Sequence, residues 1–446
     1  MELIKENKMG TDKISSLLFK MSMPAIISML VQALYNIIDS IFIAKYSSDG
    51  LTALTLAFPL QMLSLAFGLG IGVGTSSLIS RRLGQHHKDE ANIAAKTGIS
   101  LAVITTIIFM ILGTILPLPF LKLFSKRAIV LSYGVAYLSI CMICCLGQML
   151  DLVSAKILQG TGNMKIPMIS QLAGAITNIV LDPILIFGFN MGVAGAAWAT
   201  VIGQFVAMFI SFGSLIFTKQ EINFEFSTQS LNKKAFKDII SVGVPTTIMN
   251  AISSFATLLL NLILVQYSDI AVVVLGIYFK LQSFVFMPTF GLTQGTMPIL
   301  GYNYGANQKE RFYEAFYLTL KVSTIIMIFG LLLFQFGSGM FIKIFNDNPE
   351  YVKMGSFALR IISICFIPAA IGITTSVMFQ SLGHGTKSMV MSLMRQAVLL
   401  IPLAYIFGKL MGVNAIWFTY PIVEVITAII FFPIGLKISK KAFENA

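Results

Sequence analysis

Apolar residues run along this chain in a dozen stretches, each longer than the ~20 positions a helix needs to cross a bilayer. They predict helices over about 15–44, 51–80, 92–118, 130–160, 165–187 and 193–217. A second set occupies about 236–266, 271–303, 310–340, 351–381, 386–409 and 412–437. Short polar turns separate them. The one long polar segment, 218–238 (TKQEINFEFSTQSLNKKAFKD), divides six helices from six. The fold class this predicts is all-α integral membrane, with helices 1–6 in 1–217, a linker over 218–238 and helices 7–12 in 239–446.

The two sets are copies, about 221 positions apart. Pro24 answers to Pro245, Tyr46-Ser47 to Tyr267-Ser268, and Phe58, Leu60 and Gln61 to Phe279, Leu281 and Gln282. Gly70, Gly74 and Gly84 meet Gly291, Gly295 and Gly305; Cys144, Gln159 and Gly162 meet Cys365, Gln380 and Gly383. After one inserted residue, Phe187-Gly188 and Met191-Gly192-Val193 meet Phe407-Gly408 and Met411-Gly412-Val413. An even number of spans per copy gives both the same orientation, so the repeats are parallel, related by an axis along the membrane normal. Polar exceptions to the symmetry stand out: Asp39 faces Leu260, Asn178 faces Val398 and Asp182 faces Pro402. A repeated scaffold with unrepeated charge places the chemistry in the first half.

Composition agrees with lipid as the solvent: 56% of residues are hydrophobic and 11% charged, against roughly 25% charged in soluble domains. The net charge of +12 suggests nucleic acid only until its distribution is seen. With the N-terminus inside, most Lys and Arg fall on the cytoplasmic side, among them Arg81, Arg82, Lys233, Lys234, Lys309 and Arg311. That asymmetry is a topology signal, placing both termini in the cytoplasm. No cleavable signal peptide is evident.

Several motifs dissolve on inspection. Gly68, Gly70, Gly72 and Gly74 resemble a nucleotide-binding run but lie inside a transmembrane helix with no preceding strand, so close helix packing explains them better. GHGTKS at 383–388 has Thr386 where a phosphate loop needs Gly before its Lys. No ATP motor is present, and uphill movement would need a gradient. His86, His87 and His384 fall in turns, and no hydrolytic triad or metal-ligand spacing appears. Cys141, Cys144, Cys145 and Cys365 read as small hydrophobes in helices.

The intramembrane ionisable set comprises Asp39, Asp151, Lys156, Asp182, Lys280, Arg360, Arg395 and Glu424. A charge at mid-bilayer costs about 2.5–3.5 kcal/mol on insertion scales, so each needs a reason. Lys156, Arg360 and Arg395 lie near helix ends, where long stems reach the interface. Asp151 and Lys156, five apart, could pair with each other or elsewhere. Glu424 answers to Gln204 in the repeat, so a polar contact shared by both halves competes with a functional site there. Lys280 answers to Pro59 and either lines a cavity or pairs with an acid. Asp39 and Asp182 differ. Asn178 and Asp182 are four apart and share a helix face, Pro183 predicts a bend beside them, and Thr200 adds a hydroxyl at similar depth. Two carboxylates, an amide and a hydroxyl form a set of hard oxygen ligands suited to a proton or a sodium ion.

These residues sit in segments that resemble the multidrug and toxic compound extrusion (MATE) family over nearly the whole chain. The segments are NIIDSIFIA in helix 1, GVGTSSLISRRLGQ after helix 2 with its counterpart GTMPILGYNYGA, QGTGNMKIPM, TNIVLDPILIFGF in helix 5 and MGVAGAAWAT opening helix 6. The resemblance implies two six-helix lobes around a central cleft and alternating access, with organic cations exported against inward protons or sodium. The sequence is most similar to the DinF-type branch, whose N-lobe coupling residues fall here on Asp39, Asn178, Asp182 and Thr200. The NorM-type branch carries an acid in helix 7; this helix 7 has none after Asp238, and Glu424 is the one acid deep in the second half.

The function these features imply is that of a multidrug antiporter of the plasma membrane, an expected monomer without catalytic residues or cofactor beyond its coupling ion. Its partners are membrane lipids and amphipathic or cationic drugs, and nucleic acid and ATP are not among them. Tyr35, Asn36, Gln61, Lys280 and Gln282 are candidates for the cleft wall. The 24 Met and 36 Phe supply surfaces that re-pack around varied cargo. An alternative in the same superfamily is a flippase for a lipid-linked or other amphipathic substrate, which calls for a more cationic cleft than Lys156 and Lys280 provide. A major-facilitator transporter or a membrane enzyme fits less well.

Overall fold

The computed structural model describes residues 7–218, 220–222 and 232–444, with the side chains of Ala33, Asn36, Ile37 and Ser40 left aside. Most of the polar linker, residues 219 and 223–231, and the side chain of Asn36 therefore lie outside the described residues.

The described residues form helices and turns. Helices 1 to 3 are Ile14–Tyr46, Ser48–Gly84 and Lys88–Ile115. Helix 4 comes in two halves, Ala128–Ile143 and Leu146–Gly160. Helix 5 is Lys165–Pro183 with a wide-turn extension Ile184–Gly188, and helix 6 is Gly192–Phe217. Helices 7 to 9 are Lys233–Leu264, Asp269–Gly305 and Lys309–Phe345. Helix 10 is again halved, Pro349–Ser363 and Phe366–Ser381. Helix 11 runs Gly385–Leu393, Met394–Leu400 as a wide turn, and Ile401–Met411; helix 12 is Thr419–Glu444 after a short turn at Val413–Ile416. Ten of these are long and apolar enough to cross a membrane, and the two halved helices bring the spans to twelve among the described residues.

Helices 4 and 10 correct the expectation of continuous spans. Their halves meet at 49° and 47°, at the repeat-related Cys144 and Cys365. In helix 10, Pro368 opens the second half and supplies no backbone donor to the turn before it. In helix 4, Gly147 allows the second half to turn onto helix 6, where a Cβ would meet the Phe205 nitrogen at 3.0 Å. All four cysteines are free.

The repeat extends to backbone conformation. Gly162 and Gly383 have φ of 89° and 82°; Gly192, which opens helix 6, and Gly412, which precedes the short turn before helix 12, have 58° and 83°. These left-handed values favour glycine, and each pair is related by the sequence offset.

Packing divides the chain inside helices. One compact body is Ile27–Thr247; the other joins Met1–Ile26 to Ile248–Ala446. The sequence repeat runs 1–217 and 239–446, so the first turns of helices 1 and 7 each pack with the opposite copy. Both divisions fall two residues beyond a repeat-related proline, Pro24 or Pro245. Glycines of helices 2 and 8 give the room for the exchange. A Cβ on Gly70 would stand 2.6 Å from the Gly243 oxygen, and one on Gly295 would stand 2.8 Å from the Ser22 nitrogen. Thr247 Oγ1 donates to the Ala66 oxygen at 3.2 Å, and Ser22 Oγ to the Leu292 oxygen at 3.2 Å. In the second body Tyr278, Phe334, Phe366 and Trp417 anchor a buried core. The lipid-type surface shows on helix 3, where Ile104, Ile107, Ile108, Ile111 and Ile115 are all exposed.

Candidate functional site

The first body brings four of the sequence-derived candidates together. Helices 5 and 6 pack closely through Gly174 and Gly203: a Cβ on Gly203 would come within 2.6 Å of the Gly174 oxygen. One turn along from each glycine stand Asn178 and Thr200. Asn178 Nδ2 donates to Thr200 Oγ1 at 3.3 Å and to Asp182 Oδ1 at 3.5 Å. Asp182 is fully buried, Asn178 is 3% exposed and Thr200 7%. Asp39 reaches the same place from helix 1, its carboxyl within hydrogen-bonding reach of Asp182.

The wide turn of helix 5 begins at Ile184, directly after Pro183, so the expected irregularity lies beside Asp182. Three oxygens here have no hydrogen-bond partner among the described residues: Asp39 Oδ1, Asn178 Oδ1 and Asp182 Oδ2. Facing carboxylates in a low dielectric repel strongly, and a proton or small cation between them relieves the repulsion. The free oxygens are the ligands such a guest would use.

A cavity of about 110 Å³ opens beside this cluster, lined by Asn178, Thr200 and Tyr35 together with Gln32, Gln148 and Asp151. Tyr35 thus has a polar cavity to face. Gln61 instead donates through Nε2 to the Tyr137 hydroxyl at 3.4 Å. Lys280 and Gln282 belong to helix 8 in the second body, where Lys280 Nζ lies 5.9 Å from the centre of the Phe345 ring. Glu424 Oε1 pairs with Arg395 Nη1 at 3.4 Å, which links helices 12 and 11. Asp151 and Lys156 take separate partners, Ser211 Oγ at 2.7 Å and Gln159 Oε1 at 2.8 Å.

Sequence reasoning passed over Gln148 and Gln171, and took Gln204 only as the repeat image of Glu424; all three line the cavity with Asp151. Gln148 and Asp151 are three apart on one helix, a spacing that places both on one face. Gln204 is the repeat image of Glu424, so the shared polar position marks a cavity wall in the first body.

The family follows from comparison with known proteins. The MatE family model matches residues 24–184 and again 245–406, once in each repeat. The chain belongs to the MATE family. Similar relatives include the multidrug export protein MepA of Staphylococcus aureus, 26% identical over 92% of this chain and 90% of that protein. MepA of Staphylococcus saprophyticus is 28% identical over the same shares. Among solved structures, an outward-facing multidrug resistance MATE transporter of the MOP superfamily matches with a TM-score of 0.93 at 25% identity over all of both chains. A MOP superfamily transporter from Pyrococcus furiosus, described by the reverse polarity of its binding pocket, also matches at 0.93 and 25% over 99% of each. A MATE structure in a bent conformation and one in a straight conformation both match at 0.93 and 25%, each over 100% of this chain.

Proposed function

We propose that this MATE protein is a secondary-active efflux antiporter that exports lipophilic, often cationic compounds in exchange for inward protons or sodium. It works by alternating access as a monomer in the plasma membrane, with both termini cytoplasmic, and belongs with the DinF-type branch. The observation that carries the reading is the set of half-buried Asp39 and buried Asn178, Asp182 and Thr200, with three oxygens lacking partners among the described residues of a membrane body. The multidrug export relatives support the cargo class.

With Asp39 and Asp182 ionised, the first body attracts a cation. Arrival of a proton or sodium ion cancels that charge and weakens the hold on cargo. A bound ion shifts a conformational equilibrium only by its differential affinity for the two states, so the carboxylates must be better satisfied in one of them. Helix 1 carries both Pro24 and Asp39, and rearrangement about the proline is the coupling motion this reading uses. Each inward charge gains about 2.3 kcal/mol per 100 mV, which offsets a roughly fortyfold gradient of a neutral solute.

Ethidium retention in cells with and without the chain tests the reading. Lower retention with the chain, reversed by Asp182→Asn, supports efflux. Unchanged dye with altered sidedness of cell-wall precursors would favour the flippase alternative.

A further inference from the structure

We propose that Asp151 is a second proton acceptor in the body Ile27–Thr247, joined to the Asp39–Asp182 pair by water in the cavity beside Asn178 and Thr200. The inference rests on the coupling role proposed above and adds a route by which the proton leaves that pair.

Three observations meet at this cavity. It holds the only carboxylate among its lining residues, Asp151, and at the same time borders Asn178 and Thr200. Its remaining polar wall is neutral: Gln32, Gln148, Gln171 and Gln204, with Ser28 and Tyr35. A space of about 110 Å³ accommodates several waters. Glutamine amides both donate and accept, so the wall can hold water in any orientation. Asn178 lines the cavity and donates through Nδ2 to Asp182 Oδ1 at 3.5 Å, which ties the pair to the cavity.

Depth along the helices gives the route a direction. Asp151 lies nine residues before Gly160, and Asp182 lies seventeen after Lys165, on two helices that share the turn between them. At 1.5 Å per residue, Asp151 stands about 12 Å nearer that turn. The turn is the end assigned to the cytoplasm by the charge pattern. Asp151 is buried, 8% exposed, and its Oδ1 accepts from Ser211 Oγ at 2.7 Å. Ser170 of helix 5 is its other hydrogen-bonding neighbour.

In the step this implies, the Asp39–Asp182 pair gives its proton to the nearest cavity water. Each water passes on one proton as it receives one, and the last delivers it to the Asp151 carboxylate. The pair is left charged and Asp151 neutral, with no other reactant needed.

The test is uptake of ethidium into inside-out proteoliposomes of the full chain, driven by an imposed pH gradient. Asp151→Asn is expected to slow uptake by about tenfold or more, the lower range of what a positioned proton-transfer group supplies. Formate, small enough to enter the cavity, should restore much of the rate, whereas bulky MES buffer should not. Asp151→Glu should stay within about twofold of the parent. Gln204→Leu, which keeps every carboxylate but removes a water-holding wall, should give the same formate-sensitive defect if Asp151→Asn does not fold. A wild-type rate in Asp151→Asn, a slow rate that formate does not change, or transport driven by sodium alone would each overturn the relay. Retained transport in Asp182→Asn would instead overturn the coupling reading beneath it.

Discussion

The carboxyl groups of Asp39 on helix 1 and Asp182 on helix 5 meet side chain to side chain in the body Ile27–Thr247. The repeat images of these residues, Leu260 and Pro402, carry no charge. Coupling should therefore depend on one repeat. Asp39→Asn and Asp182→Asn are each expected to bring ethidium efflux to background with normal expression. Leu260→Met and Pro402→Ala should leave it within about twofold, since volume-conserving and exposed changes perturb little. Efflux assays on matched membrane preparations check this.

Asn178 holds the cluster by donating to Thr200 and Asp182. Asn178→Leu removes both donations and leaves buried acceptors bare, at about 1–3 kcal/mol each. The expected outcome is a lower melting temperature together with lost transport. Thr200→Val removes only the hydroxyl and should retain more of both, as read by thermal unfolding in detergent and by dye efflux.

The glycines of helices 2 and 8 mark the exchanged contacts. Gly70→Ala and Gly295→Ala place a Cβ against backbone at 2.6 and 2.8 Å, and overpacking of this kind costs about 1–3 kcal/mol. Gly276→Ala meets nothing within 4 Å and serves as the control. Thermal stability should fall for the first two and hold for the third.

Arg395 and Glu424 form the ion pair between helices 11 and 12. Removing either partner leaves the other charge partly buried without its counterion. Glu424→Gln and Arg395→Gln should each lower the melting temperature, and the double variant should recover part of the loss. Equal and additive losses would separate the two residues energetically.

The twelve spans, the repeat and the shared face of Asn178 and Asp182 are legible in the sequence because apolar length, a fixed offset and i,i+4 spacing can be read along the chain; the grouping of Asp39 and Thr200 with them is what the family resemblance implies. The breaks in helices 4 and 10 are not legible there. Their midpoints at Cys144 and Cys365 lie within unbroken apolar runs, and the bend at Gly147 depends on helix 6, far along the chain. The exchange of first turns is hidden for a similar reason. Gly70 and Gly295 announce close packing, but the sequence does not say against which helix. Spacing alone offers Lys156 as a partner for Asp151; the neighbour it takes, Ser211, is sixty residues away, beyond the reach of such rules.

Gradient-driven uptake in proteoliposomes, with a pH gradient and a sodium gradient imposed separately, tests the role of the Asp39–Asp182 pair most directly. The parent protein is expected to concentrate ethidium under one of the two gradients, and Asp39→Asn and Asp182→Asn under neither. Full gradient-driven accumulation by either variant would contradict the account.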